Sequence, residues 1–183
     1  MLELVVERYG DRLRIWPAAL LVHHAYRGGL LEHILTIAEA GTALAASYGA
    51  DADLIVAGAV LHDIGKLEEL RYDGVTTYSR RGNLVGHITV GVQMVHQLVE
   101  SIEGFPDELR VRIEHLIVSH HGERELGSPI EPMTEEAFIL SAIDQLDAQL
   151  HQFRRHVAED VNRGEFTAFH PRFRRVLLKP GGR

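Results

Sequence analysis

The sequence carries an adjacent histidine and aspartate, His62-Asp63, within Leu61-His62-Asp63-Ile64-Gly65-Lys66, directly after the apolar run at residues 54–61. A helix through residues 53–64 would end at Asp63. Its carboxylate would then face the partial negative charge of the helix macrodipole as well as the desolvation cost of apolar neighbours. A bound cation offsets both. The chain has 12 histidines, which cluster around residues 21–33, at His62, at 87–96 and at 115–121. With no cysteine, disulfides, thiolate zinc sites and thiol nucleophiles are excluded, so any metal must be held by His, Asp or Glu.

The elements that would position these side chains are helical almost throughout. Leu30, His33, Ile34, Ile37, Gly41 and Leu44 follow the i, i+3, i+4, i+7 rule, which predicts an amphipathic helix over about 29–48, stopped by Gly49, with His33 on its apolar face. Residues 52–64 are apolar nearly all round, as in a central helix covered on every side, with Asp51 or Asp53 as N-cap. Between residues 71 and 86 the pattern fails. There Tyr72-Asp73-Gly74-Val75-Thr76-Thr77-Tyr78 predicts a small hairpin or ordered loop that forms a rim over a site. Helical periodicity returns over 87–102, over 107–120 with Pro106 in the first turn, and over 134–162.

On these helices Leu109, Ile113, Leu116 and His120 share one stripe, with His121 turned about 100° away. Ala137, Leu140, Asp144, Asp147 and His151 lie along another seam, and periodicity does not separate Asp144 from Asp147. The expected fold is all-α, a single domain over 1–183 with its core at about 16–160 and a basic, partly mobile tail over about 163–183. A chain of 183 residues is long enough to bury about 70% of its unfolded surface. The net charge of -7 speaks against an extended nucleic-acid groove, because such surfaces need many Lys and Arg, although a local cationic pocket is compatible with it. The longest apolar stretch is far below the roughly 18 residues of a membrane span, and no basic-then-apolar segment opens the chain, so the expectation is a cytoplasmic protein.

The order His33, His62-Asp63, Asp144, each on a helix, resembles that of the HD-superfamily metal-dependent phosphohydrolases. Ile64-Gly65-Lys66 extends the likeness to the HDIG type, and Gly86-His87 with Ser119-His120-His121-Gly122 fall where two-metal members carry further histidines. More narrowly, the stretch from His23-His24-Ala25-Tyr26-Arg27 to Glu32-His33, together with His120-His121-Gly122 and Gly127-Ser128-Pro129, looks like the HD domain of bacterial 3′-to-5′ exoribonucleases that carry an OB-fold ahead of it. The likeness covers roughly residues 16–156 and does not include the OB-fold, whose groove and stacking aromatics hold a single strand, so a small or short substrate is expected.

The resemblance implies an HD-domain helical bundle. It implies two divalent ions, one held by His33, His62, Asp63 and Asp144 and the other by Asp63, His87 and His120. Asp63 suits the bridge because a carboxylate offers two oxygens and an imidazole one nitrogen per metal. Such ligands favour Mn²⁺ or Fe²⁺, with Co²⁺, Ni²⁺, Zn²⁺ or Mg²⁺ as alternatives. Asp63 and Lys66 are the expected catalytic residues, Lys66 placing its ammonium on a phosphate oxygen, and His23, His24, Arg27, Lys66 and His121 are the expected substrate contacts. Either of the paired histidines could protonate the leaving oxygen.

Blander readings stand beside these. The four matched ligands could be satisfied core polar residues, His87 and His120 could bond backbone carbonyls, and Lys66 could complement a helix C-terminus. His23, His24 and Arg27 could sit on a tight Gly-Gly turn, Arg80 and Arg81 on a solvated loop, and His121 could be either a ligand or a substrate contact. His96, His115, His151, His156 and His170 have no matched context. The expected function is hydrolysis of a phosphoester of a nucleotide or short oligoribonucleotide by metal-activated water, as phosphodiesterase, nucleotidase or short-RNA exonuclease. The alternatives are a non-catalytic HD module that binds a nucleotide and, third, an iron-dependent oxygenase. Expected partners are a nucleotide or short RNA, without a membrane, and a homo-oligomer is compatible with the sequence.

Overall fold

The computed structural model describes residues 1–20 and 24–180, which leaves His23 outside the described residues. The contacts divide the chain into two compact units, residues 1–147 and 148–183.

In the first unit α1 (Leu2–Leu13) is followed by α2 (Gly29–Tyr48), whose end is closed by Gly49 in the left-handed region. There φ is 74°, a conformation that costs glycine nothing. Asp51 caps α3 (Ala52–Leu61) by accepting from Leu54 N–H, which resolves the choice between Asp51 and Asp53. The helix stops at Leu61 and not at Ile64, because the chain tightens into i→i+3 bonds from Ile64 N–H to Leu61 and from Lys66 N–H to Asp63. A one-turn α4 (Lys66–Glu69) then leads into β1 (Leu70–Tyr72) and β2 (Thr76–Tyr78), an antiparallel hairpin with Leu70 opposite Tyr78 and Tyr72 opposite Thr76.

A short α5 (Arg80–Val85), which apolar periodicity does not predict, follows. Ser79 accepts from Gly82 N–H as its N-cap, and a helix of this length with an internal glycine leaves too few residues for a 3.6-residue pattern. Then come α6 (His87–Glu100) and α7 (Asp107–Ser119), the latter with Pro106 at the N-cap position, one residue earlier than expected. The core is built of Leu30, Ile37, Ile55, Leu61, Ile64, Leu98, Ile113, Leu116 and Leu140, all essentially without solvent contact. Burial of such side chains contributes about 1.5–3 kcal/mol each. Helix α8 (Glu135–Glu159) begins in this unit and supplies Leu140, Ile143 and Asp144 to it.

In the second unit, residues 148–159 complete α8, and the basic tail is tied by isolated antiparallel bridges, Phe166 with Leu178 and His170 with Arg175. Asp160 accepts from Lys179 Nζ (2.5 Å) and from Ala168 N–H (2.8 Å). Among the described residues no helix is long and apolar enough to cross a membrane.

Candidate metal centre

The predicted ligands reach one place from different elements. The end of α3 delivers His62 and Asp63, α2 delivers His33, and α8 delivers Asp144 and Asp147 one turn apart. His87 is the first residue of α6 and His120 follows the last residue of α7. The meeting of α6 with Asp63 depends on Gly65, because a Cβ there would lie 2.0 Å from the His87 carbonyl oxygen. Any side chain at Gly65 would push His87 away.

Asp63 stands between two groups of imidazoles. On one side His62 Nε2 is 3.3 Å and His33 Nε2 3.6 Å from Asp63 Oδ2, and His33 Nε2 is 3.2 Å from Asp144 Oδ1. On the other side His87 Nε2 and His120 Nε2 lie 3.6 and 3.7 Å from Asp63 Oδ1. His33, His62, Asp63 and His120 are buried to 2% exposure or less.

The outer nitrogens of these rings identify their protons, because a carbonyl or carboxylate oxygen can only accept. His62 Nδ1–H donates to the Ala59 carbonyl (2.9 Å) and His120 Nδ1–H to the Ile117 carbonyl (2.7 Å). His87 Nδ1–H donates to Glu69 Oε1 (3.0 Å), whose other contact is the His87 backbone N–H. With Nδ1–H committed outward, each ring turns its Nε2 inward, where a neutral ring presents a lone pair. His87 Nε2, His120 Nε2 and Asp63 Oδ1 are buried and have no hydrogen-bond partner among the described residues. Three lone-pair donors facing each other without a shared proton repel one another, and burying them costs about 1–3 kcal/mol apiece. A cation among them removes that cost. The fit is to a metal with nitrogen and oxygen ligands, and the trios His33-His62-Asp144 and His87-His120-His121 each bring ligand atoms within 4.8 Å of one another.

Charge follows the same division. Burial would raise the Asp63 carboxyl, but the charges of Lys66 and His62 outweigh it and hold it well below the ordinary value. Burial lowers His33, but hydrogen bonds with Asp144 and Asp147 overcome it and push the ring up to about 9. A proton on His33 Nε2 and a metal ion at that nitrogen are alternatives. Burial and the neighbouring His62 charge push His120 well below the usual imidazole value, which keeps its lone pair available. His121 is also lowered, by burial and then by His87.

The structure separates Asp144 from Asp147. Asp144 faces the inward nitrogens, whereas Asp147 Oδ2 accepts from His33 Nδ1–H (2.7 Å) and from His24 Nε2–H (2.9 Å), behind the imidazole. A carboxylate on the far nitrogen fixes the ring's orientation and raises its basicity as a ligand. His24, expected among the substrate contacts, is 3% exposed and lies in this rear network, with its Nδ1 3.0 Å from the Tyr26 hydroxyl, which donates to Glu32 (2.8 Å). Its backbone has φ 48°, unusual for a non-glycine residue, and its carbonyl sits where a Cβ on Gly29 would lie 2.0 Å away.

Lys66 is buried and its Nζ is 2.5 Å from Asp63 Oδ2, so it is part of the charged cluster rather than a helix-end cation in solvent. Arg27 is exposed. His121 packs its ring against His120 (centroids 4.2 Å apart) and His87 (5.4 Å), in place of the outward orientation expected from its helical phase, because α7 ends at Ser119. It also lines a cavity of about 240 Å³ with Phe138, Ser141 and Gln145. Glu69 and the orienting role of Asp147 were not legible in the sequence. Neither lies in the His-Asp pattern, and only their contacts with outer ring nitrogens mark them.

The family model described as HD domain matches residues 30–149. The chain is 40% identical over 164 residues to the 3'-5' exoribonuclease YhaM of Bacillus licheniformis, covering 89% of this chain and 52% of that protein. Over the same length it is 38% identical to the Bacillus subtilis protein of that name, with the same coverage. It is 35% identical over 189 residues to the Geobacillus one, covering 97% of this chain and 58% of the relative. The chain thus spans about half the length of these curated relatives. No solved structure matches it.

Proposed function

Because the chain belongs to the HD domain family, whose members bind divalent metals, we propose that it is a metal-dependent phosphohydrolase that cleaves a phosphodiester of RNA or of a nucleotide. The observation that carries this reading is the convergence of Asp63 Oδ1, His87 Nε2 and His120 Nε2, buried and without hydrogen-bond partners among the described residues, on one point. His33, His62, Asp63 and Asp144 would hold one ion, and Asp63, His87 and His120 a second. Mn²⁺ or Fe²⁺ suits this mixed nitrogen and oxygen set. Bound there, such ions lower the pKa of a water ligand toward about 7 and neutralise charge on a phosphoryl group.

The chain's own residues supply the rest. Asp63 has one oxygen toward each group of imidazoles, which is the geometry of a bridging carboxylate. Lys66 keeps a fixed positive charge beside Asp63 and is the residue placed to neutralise a phosphate oxygen. Asp147 and Glu69 hold the His33 and His87 rings so that Nε2 stays inward. His121, whose ring burial and then His87 push below the usual imidazole value, is the substrate-facing imidazole beside the cavity it lines. The activity for which the relatives are named, 3'-5' exoribonuclease, favours RNA as the substrate class.

The test is hydrolysis of bis(p-nitrophenyl) phosphate and of short RNA by the purified chain before and after chelation. The expected result is loss of both activities with chelator and recovery with Mn²⁺. Activity that survives exhaustive chelation contradicts the proposal.

A further inference from the structure

Away from the metal centre the first unit contains a cavity of about 860 Å³, large enough for a nucleotide-sized ligand. Its wall carries Trp16 and Tyr72 together with Arg12, Arg71, Arg80 and Arg81. The helix α4 divides it from the metal centre. Lys66 and Glu69 reach from α4 to Asp63 and His87, whereas Leu67 and Glu68 line the cavity.

The aromatic part is held rigidly. Trp16 Nε1–H donates to the Lys66 carbonyl (3.0 Å), the ring meets Tyr72 edge-on at 6.4 Å, and Arg12 lies over it at 4.6 Å. Arg12 is already paired with Glu68 at 2.8 Å. Arg71, Arg80 and Arg81 are different. They are exposed, none forms an ion pair among the described residues, and Arg81 bonds only the neutral Gln93 side chain. In a chain of net charge -7, unpaired guanidinium groups beside an aromatic pair are a local exception. The hairpin and α5 create it, because they bring Arg71 together with Arg80 and Arg81 across β1 and β2.

Guanidinium groups that meet phosphates, beside aromatic rings that meet bases, are what a single-stranded nucleic acid requires. An acidic peptide would use the arginines and leave the aromatic pair without a role. We propose that this groove binds single-stranded RNA outside the hydrolytic centre, with bases against Trp16 and Tyr72 and phosphates on Arg71, Arg80 and Arg81. The proposal rests on the RNA-directed reading above and adds a binding site to it.

Trp16 is the one tryptophan of the chain, so its fluorescence reports this groove alone. The full chain, kept in chelator so that nothing is cleaved, is titrated with a short oligouridylate. The expected result is saturable change of Trp16 emission. With a contribution of about -0.7 per phosphate contact on a single strand, contacts from Arg71, Arg80 and Arg81 give a log–log salt slope of about -2, or about twenty-fold weaker binding from about 50 mM to about 200 mM salt. The combined Arg71→Ala, Arg80→Ala and Arg81→Ala variant is expected to bind at least about tenfold more weakly, with the slope near zero.

Unchanged emission, a salt-independent response, or an acidic peptide of equal charge that competes as well as the RNA overturns the proposal. The salt slope is read on the unaltered protein, so misfolding of the variant cannot decide the result. Failure of the hydrolytic reading would show separately, as RNA binding at Trp16 without any metal-dependent cleavage.

Discussion

Replacing Asp147 tests whether the rear network tunes the metal centre. Asp147 Oδ2 accepts hydrogen bonds from His33 and His24 at 2.7 and 2.9 Å, and its carboxylate is held well below the ordinary range, burial being outweighed by those two histidines. Asp147→Asn keeps an oxygen acceptor and loses the charge, whereas Asp147→Ala loses both. Partners of this kind set metal affinity by about 10–100-fold. The Asn variant should therefore bind Mn²⁺ about tenfold more weakly and the Ala variant about a hundredfold, which corresponds to about 1.4 and 2.8 kcal/mol. Asp144→Ala, which removes an inward-facing oxygen, should cost more than either. Calorimetric titration of chelator-stripped protein with Mn²⁺ measures all of them. Unchanged affinity in Asp147→Ala refutes the orienting role, and a loss equal to that of Asp144→Ala would make Asp147 itself a ligand.

Other outcomes follow from the same geometry. Gly65→Ala, whose new methyl would meet the His87 carbonyl, should destabilise the fold by about 3 kcal/mol and weaken metal binding, read by thermal melts and titration. Glu136 is raised by burial but brought below the ordinary carboxylate value by backbone N–H groups and Arg112. Its contribution is thus complete above about pH 4.5 and lost as pH falls through the folded-state value. Glu136→Gln should cost about 1 kcal/mol at neutral pH in urea unfolding, with the gap to the parent closing in acid. Mn²⁺ present at about a hundred times its dissociation constant should stabilise the fold by about 2.7 kcal/mol, seen as a higher melting temperature that Asp63→Ala does not show.

Much of this architecture could be read from the residues. The α2 helix and the buried face of His33 followed from apolar spacing, the end of α2 from Gly49 as a helix stop, and Tyr72-Asp73-Gly74 announced the hairpin. The HD pattern named residues that the fold gathers around Asp63. What escaped was set by backbone geometry. The early end of α3 and the inward turn of His121 depend on where a helix stops, which periodicity places only within a few residues. Asp144 and Asp147 share a helix face, and only the identity of the His33 nitrogen each one meets distinguishes them. Arg80 and Arg81 read as a solvated loop until the hairpin set Arg71 and Tyr72 beside them.

In the proposed centre Asp63 joins two groups of inward-turned imidazoles around divalent ions. Anomalous scattering from crystals grown with Mn²⁺ tests this directly. The predicted result is two manganese peaks about 3.5–4 Å apart, one within bonding distance of His33, His62 and Asp144, the other of His87 and His120, with an Asp63 oxygen on each. Crystals that show no manganese between Asp63, His87 and His120, while Lys66 alone satisfies the carboxylate, would contradict it.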